Sequence, residues 1–184
     1  MSSAKELFGI GDLSGQPRSF WEEGVEGGST RAHIAAIMDV LPDDFTHWDI
    51  ADKTGMSIAH MLVSTDLLPV HFDQWSIMNR EGDTVAHVAA QKERLAADLP
   101  LAIWALKNRE GETVAHSALR MRDAIPNGFQ HWNILDGQNE SLAASIDRLR
   151  EHFPKSLAVY QSWRIQNAMD PQKITPAKIK RNSL

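Results

Sequence analysis

At 184 residues, with 42% apolar and 23% charged side chains, the chain is sized for one domain or a short array, and its composition excludes wholesale disorder. No apolar run approaches the roughly 20 residues that span a bilayer, and the absence of cysteine excludes disulfides, thiol nucleophiles and Cys-based zinc sites. A net charge of -5 argues against general nucleic-acid binding, and Met1 to Leu7 lacks the pattern of a Sec signal, so a cytoplasmic protein is expected.

In chain order, residues 1–18 read as an N-terminal lead or cap, with Leu7, Phe8 and Ile10 as packing candidates. From 19 to 170 the chain is periodic. Trp21, Trp48, Trp75, Trp104, Trp132 and Trp163 are spaced 27, 27, 29, 28 and 31 residues apart. Other positions keep the same phase. Seven residues after the first five tryptophans stand Gly28, Gly55, Gly82, Gly111 and Asn139. Nine after stand Thr30, Ser57, Thr84, Thr113 and Ser141, and twelve after stand His33, His60, His87, His116 and, in the fifth copy, Ala144. Such self-similarity is the mark of a repeat architecture.

Each residue type predicts a local structure. Gly or Asn at one fixed place predicts a backbone position with positive φ. Asp52, Asn79, Asn108 and Asp136, three residues earlier, predict a turn closed by their side chains. The following Thr or Ser predicts a helix N-cap, and the small residues after it, as in Val85 to Gln91, predict a short, closely packed first helix. Leu41-Pro42, Leu68-Pro69 and Ile125-Pro126 predict a second short helix in which Phe and Trp three apart share a face. No alternating β-branched run is long enough for a sheet. One such unit cannot bury its own apolar side, whereas stacked units cover one another. The expected fold is therefore an all-α helical repeat solenoid of about five short repeats with turn or hairpin tips. Residues 171–184 carry Lys173, Lys178, Lys180 and Arg181 without an acid and read as a flexible basic tail.

The string from Asn79 to Ala90 resembles an ankyrin repeat. Thr84, His87 and Ala89, and again Thr113, His116 and Ala118, match the family's Thr-Pro-Leu-His motif and its small-residue stretch. Val85 and Val114 replace the family's Pro, Ala86 and Ala115 its Leu, and the second helix is shortened and ends in Trp. The chain is thus similar to a divergent ankyrin-like repeat of bacterial type over about residues 20–170. The resemblance implies protein–protein recognition and nothing narrower; with no enzymatic signature, the chain is expected to act by occupying a partner's surface, as an inhibitor, adaptor or bacterial effector would. It also implies that His33, His60, His87 and His116 are structural, bonding near the Thr and the adjacent turns.

No nucleotide-binding or nucleophile motif is present, so no catalytic residue and no cofactor is assigned and the chain reads as a non-enzyme. The in-phase histidines cannot share a metal ion: adjacent helices lie about 8–10 Å apart, against about 2.0–2.1 Å for a zinc–nitrogen bond. Trp48, Trp75, Trp104 and Trp132 read as a core ladder rather than a stacking platform for bases.

Charge is unevenly placed. Residues 1–92 hold 6 Lys/Arg against 14 Asp/Glu, and residues 93–184 hold 13 against 10. The positions eighteen after Trp follow the gradient through Asp39, Asp66, Glu93, Arg122 and Arg150. The expected partner is another protein, with no membrane and no small-molecule substrate. It would meet Lys53, Arg80, Glu81, Arg109 and Glu110 on the tips. On the first helices it would meet Asp66, Gln91, Lys92, Glu93, Arg120 and Arg122. Two alternatives stand beside it: nucleic-acid binding through Arg120, Arg122, Arg148, Arg150 and the tail, and an acidic mimic of nucleic acid.

Overall fold

The computed structural model describes residues 8–168, apart from residues 10, 26 and 71. The proposed basic tail, Leu7 and Ile10 lie outside the described residues. Those residues hold eight helices and no strand, so the fold is all-α. They are α1 (Arg18–Trp21), α2 (Arg31–Ile37), α3 (Ile58–Thr65), α4 (Val85–Gln91), α5 (Leu101–Trp104), α6 (Val114–Arg122), α7 (Leu142–Arg148) and α8 (Pro154–Ala168). Each of α2, α3, α4, α6 and α7 opens one copy of the sequence period. Packing follows chain order: α1 on α2, α2 on α3, α3 on α4, α4 on α6, with α5 against α6 and α7 against α8.

The turns form as their residues require. Gly55, Gly82 and Gly111 have φ of 87°, 95° and 81°, and Asn139 has 60°. The Asn79 carboxamide oxygen accepts from the Gly82 and Asp83 amides at 2.9 Å each. Asp52, Asn108 and Asp136 close their own turns by accepting from the amides two and four residues on. Burial alone would raise the Asp52 and Asp136 carboxyls, but hydrogen bonds outweigh it and hold both below the ordinary aspartate value: the Thr54 hydroxyl and the Met56 and Thr54 amides at Asp52, the Glu140 and Gln138 amides at Asp136. A single antiparallel bridge closes each hairpin, as between Met78 and Thr84.

The same hairpin satisfies the start of the helix that follows, whose first amides have no partner within the helix. In α4 the Val85 amide donates to Ile77 O at 2.9 Å and the Ala86 amide to Trp75 O at 3.2 Å. The third, from His87, reaches Thr84 Oγ1 at 3.4 Å. Copies two, four and five repeat the side-chain cap with Ser57, Thr113 and Ser141, whereas Thr30 makes none.

The second helix departs from expectation. At Pro42, Pro69 and Pro126 the chain makes one turn, closed by Phe45 N, Phe72 N and Phe129 N donating to the proline carbonyl at 3.0, 3.0 and 3.2 Å, and no helix follows. With steps of 27 to 29 residues, too little chain remains for more. Elsewhere the segment leading to Trp does reach helical form: as α1 and α5, four residues each directly after Pro17 and Pro100, and in the longer fifth copy as α8, which begins at Pro154 and carries Trp163.

These turns still deliver Phe and Trp into edge-to-face contact, and the contacts run between copies. Trp21, Phe45, Trp48, Phe72 and Trp75 form one series with ring centroids 4.8–5.8 Å apart. Trp104, Phe129 and Trp132 form a second, at 4.9 and 5.1 Å, which continues to Tyr160 and Trp163 on α8. The ladder breaks between Trp75 and Trp104, because Leu101 occupies the place of the Phe. Leu101 turns half out to solvent, and Trp75 is only partly buried, unlike Trp21, Trp104 and Trp132. The expectation of one continuous ladder is corrected there.

The ends differ from the middle. Leu13 is buried and Phe8 meets Phe20 edge-on, so part of the N-terminal lead packs on the first copy. At the other end α8 covers the fifth copy. Both Asp123 carboxylate oxygens accept from its first amides, Lys155 N and Ser156 N, at 2.8 Å. Ile165, in phase with the buried Ile50 and Ile134, is 60% exposed on this capping helix.

Candidate interaction surface

The exposed tips are built by stacking each hairpin on the one before it. The Lys53 amide donates to Gly28 O at 3.1 Å, Arg109 N to Gly82 O at 3.0 Å and Gly137 N to Gly111 O at 2.7 Å. The glycine is needed here twice over. At Gly82 the backbone is left-handed, and a Cβ would lie 2.5 Å from Arg109 Cβ. Lys53, Arg80 and Arg109 thereby occupy the same register on three successive tips, all exposed, with Glu81 and Glu110 exposed beside two of them. Among the described residues none of the five forms a salt bridge.

Behind the tips, histidine ties each copy to the next. His33, His60 and His87 Nδ1 lie 2.7–2.8 Å from the hydroxyl of Thr30, Ser57 and Thr84. Their Nε2 atoms lie 3.0, 3.2 and 3.0 Å from the carbonyls of Met56, Asp83 and Glu112 in the following copy. A carbonyl can only accept, so Nε2–H donates across the joint, and Nδ1 of the neutral ring accepts from the hydroxyl. His116 Nδ1 lies 2.6 Å from Thr113 Oγ1, but its buried Nε2 has no partner among the described residues. Burial holds all four imidazoles below the ordinary histidine value and therefore neutral at pH 7. His60, His87 and His116 are buried with their neighbours, away from the tips.

The residues assigned to the first helices divide. Gln91, Arg120 and Arg122 end α4 and α6 and lie at the surface. Asp66, Lys92 and Glu93 follow their helices instead. Asp66 and Glu93 are left-handed, with φ of 66° and 59°, as is Asp39 at 55°. The fourth copy has an extra helical residue, so the equivalent of Glu93 there is Asp123 (φ 51°), not Arg122. The inferred acid-to-base column is thus corrected to four acids in one backbone conformation.

The basic end is also more neutral than its sequence. Arg120 forks onto Glu112 at 2.7 and 2.8 Å, and Arg148 onto Glu140 at 3.0 Å for both bonds. In the third copy the pair becomes Asp83 and Gln91, at 3.4 Å. Arg122 Nε donates to Gln91 O at 3.2 Å. A shallow space of about 290 Å³ lies between the Arg120–Glu112 and Arg148–Glu140 pairs, bordered by His116 and Asp136. Sequence spacing held the signal for the forks, eight residues from acid to arginine, but the arginines read there as free charge.

Among the described residues no group of three His, Asp or Glu is placed to hold a metal ion, and no helix is long and apolar enough to cross a membrane. No protein-family model matches the chain, and no curated protein is significantly similar to it.

Proposed function

We propose that the chain is an ankyrin-like solenoid of about five short repeats and that it works as a non-enzymatic protein–protein interaction module, an inhibitor, adaptor or effector. The observation carrying this reading is the tip ribbon. Lys53, Arg80 and Arg109 repeat at one register on hairpins stacked tip on tip, Lys53 and Arg109 through backbone hydrogen bonds and Arg80 through the close approach of its Cβ to Gly55, so their charges are held in order before any partner arrives. Pre-ordering lowers the entropic cost of association, and charge placed this way steers encounter and selects register. The forked pairs at Arg120 and Arg148 are spent within the protein and contribute shape more than net charge.

The test is capture of partners on the immobilised protein, followed by affinity measurement for each captured protein with wild type and with the Arg80→Glu/Arg109→Glu double variant. Circular dichroism and the urea midpoint verify that the variant is folded. A specific partner should bind the variant at least about tenfold more weakly, equivalent to about 1.4 kcal/mol. An affinity unchanged by the reversal refutes the tip assignment. Tight, steeply salt-dependent binding of DNA or RNA, with no protein captured, replaces the reading with the nucleic-acid alternative.

A further inference from the structure

The three basic tips share more than a register. The aliphatic stem of each side chain lies back across the glycine of the preceding tip: Lys53 over Gly28, Arg80 over Gly55 and Arg109 over Gly82. A Cβ at Gly55 or Gly82 would stand 2.7 or 2.5 Å from the Arg80 or Arg109 Cβ. The Arg109 guanidinium then reaches the preceding tip, where Nη1 donates to the Arg80 carbonyl at 3.2 Å. All three side chains therefore leave the backbone in one direction, and their charges form a column. In the fifth copy Gly137 meets Gly111 backbone to backbone and brings no side chain, so the column ends at Arg109.

Spacing and neighbours restrict what fits this column. Successive tips are one stacking step apart, about 8–10 Å, the distance between packed helices. Glu81 and Glu110 stand one residue beyond Arg80 and Arg109, so acids run beside the cations. A β-strand returns a side chain to the same face every two residues, about 6.4–6.8 Å, and its third residue faces the other way. An α-helix returns after seven residues, about 10.5 Å, but it is about 10–12 Å across and covers the acids as well. It also finds no apolar bed, because Lys53, Thr54, Arg80, Glu81, Arg109 and Glu110 are all polar. Polyproline II returns to one face every three residues, about 9.3 Å, and turns the two residues between away from it.

We infer that the tip column receives an extended, polyproline II segment of a partner protein that bears an acidic side chain at every third residue. The inference rests on the protein-binding reading and names that partner's chemistry. Three carboxylates meet Lys53, Arg80 and Arg109 in step. The residues between them carry no acid, because a carboxylate there is repelled by Glu81 or Glu110. Both sides are ordered before they meet, the tips by their glycine and backbone contacts and the ligand by its preformed backbone, which lowers the cost of association.

The experiment titrates the ¹⁵N-labelled full chain with peptides capped at both ends and follows the amide resonances of Lys53, Arg80 and Arg109. The probes are three tandem copies of Glu-Pro-Pro, a peptide of the same composition and charge with its three Glu adjacent and its prolines following, and three tandem copies of Gln-Pro-Pro. Saturable shifts at all three tips are expected with the spaced acids and none with the Gln peptide. Grouping the acids should weaken binding at least about threefold, and Arg80→Gln, which keeps its stem on Gly55, should weaken the spaced peptide about two- to fourfold. No saturable shift at the tips with the spaced peptide overturns the inference, as does equal binding of spaced and grouped acids. A thymidine hexanucleotide that saturates the same resonances at lower concentration overturns it in favour of a phosphate backbone. The response of a captured partner to Arg80→Glu/Arg109→Glu is scored separately, so the acid spacing can fail while the tip assignment stands.

Discussion

Truncating two tryptophans of the same sequence phase should have unequal effects, because the ladder is broken between them. Trp104 is 1% exposed and packs edge-on to Phe129 at 4.9 Å. Its indole N–H makes no hydrogen bond with a described residue, so Trp104→Ala forfeits burial and packing alone, about 3–5 kcal/mol. Trp75 is partly buried and, among the described residues, has one aromatic neighbour, Phe72 at 5.2 Å. With less of its surface withdrawn from water, Trp75→Ala should cost roughly half as much, about 1.5–2.5 kcal/mol. For a chain of this size a loss of about 4 kcal/mol lowers the melting temperature by roughly 8–16 °C. Urea unfolding followed by far-ultraviolet circular dichroism measures both variants, and the slope of the transition must be compared as well. Where packing runs mainly between successive elements, a local loss can melt one end alone and appear as a shallower transition. An equal or larger loss for Trp75→Ala at unchanged slope refutes the broken-ladder account.

The inter-copy histidines predict an acid-sensitive fold. His33, His60, His87 and His116 are held below the unfolded histidine value of about 6.5. Their contribution is therefore complete above that value and is lost as pH falls through it toward the folded values, by at most about 1.4 kcal/mol per pH unit for each. Asp52 and Asp136, held below the ordinary carboxylate value, contribute in the same direction only below about pH 4. Urea midpoints should be level from pH 8 to 7 and fall toward pH 5; a flat profile down to pH 5 contradicts the neutral bridges. Thr84→Val removes both the N-cap and the hydroxyl at His87 Nδ1 and should cost about 1–3 kcal/mol by denaturant titration. Gly82→Ala forces a Cβ onto left-handed backbone and into Arg109, and should cost more than about 1 kcal/mol; a neutral result counts against tip stacking. Asp123→Ala removes the acceptor for the first amides of α8 and should cost about 1–2 kcal/mol, with faster hydrogen exchange at the start of that helix.

What the sequence disclosed was whatever depends on short spacing. The Gly in each turn, the Asp or Asn that closes it, and the Thr or Ser that starts the helix all act within a few residues, so their identities carry their geometry. The second helix fails at Pro42, Pro69 and Pro126 because Pro and a Phe–Trp spacing of three serve a single closed turn as well as a helix. Trp75 looked equivalent to Trp104 because its environment depends on what stands at 101 in the next copy. The fork of Arg120 on Glu112 was obscured for a different reason. Eight residues separate the two in the chain, across the helix start, and only the hairpin folded back onto α6 makes them neighbours.

That last point changes what net charge means for recognition. By sequence, the C-terminal half offers an excess of arginine. In the fold, Arg120 and Arg148 each face a carboxylate from the same copy, and the partly shielded Glu112 and Glu140 fix the direction of the guanidinium planes. Surface ion pairs of this kind add little stability, about 0–1 kcal/mol. Their consequence is that a partner approaching these helices must displace an existing bidentate contact before it can use the arginine. On the tips no carboxylate competes among the described residues, since Lys53, Arg80 and Arg109 form no salt bridge there and the Arg109 guanidinium donates only to the Arg80 carbonyl, at 3.2 Å. A charge-reversal scan should therefore change association rate and its salt dependence at Arg80 and Arg109. At Arg120 the same reversal should act mainly through loss of the Glu112 contact, and equal kinetic effects at both places would show that the forked pairs open freely.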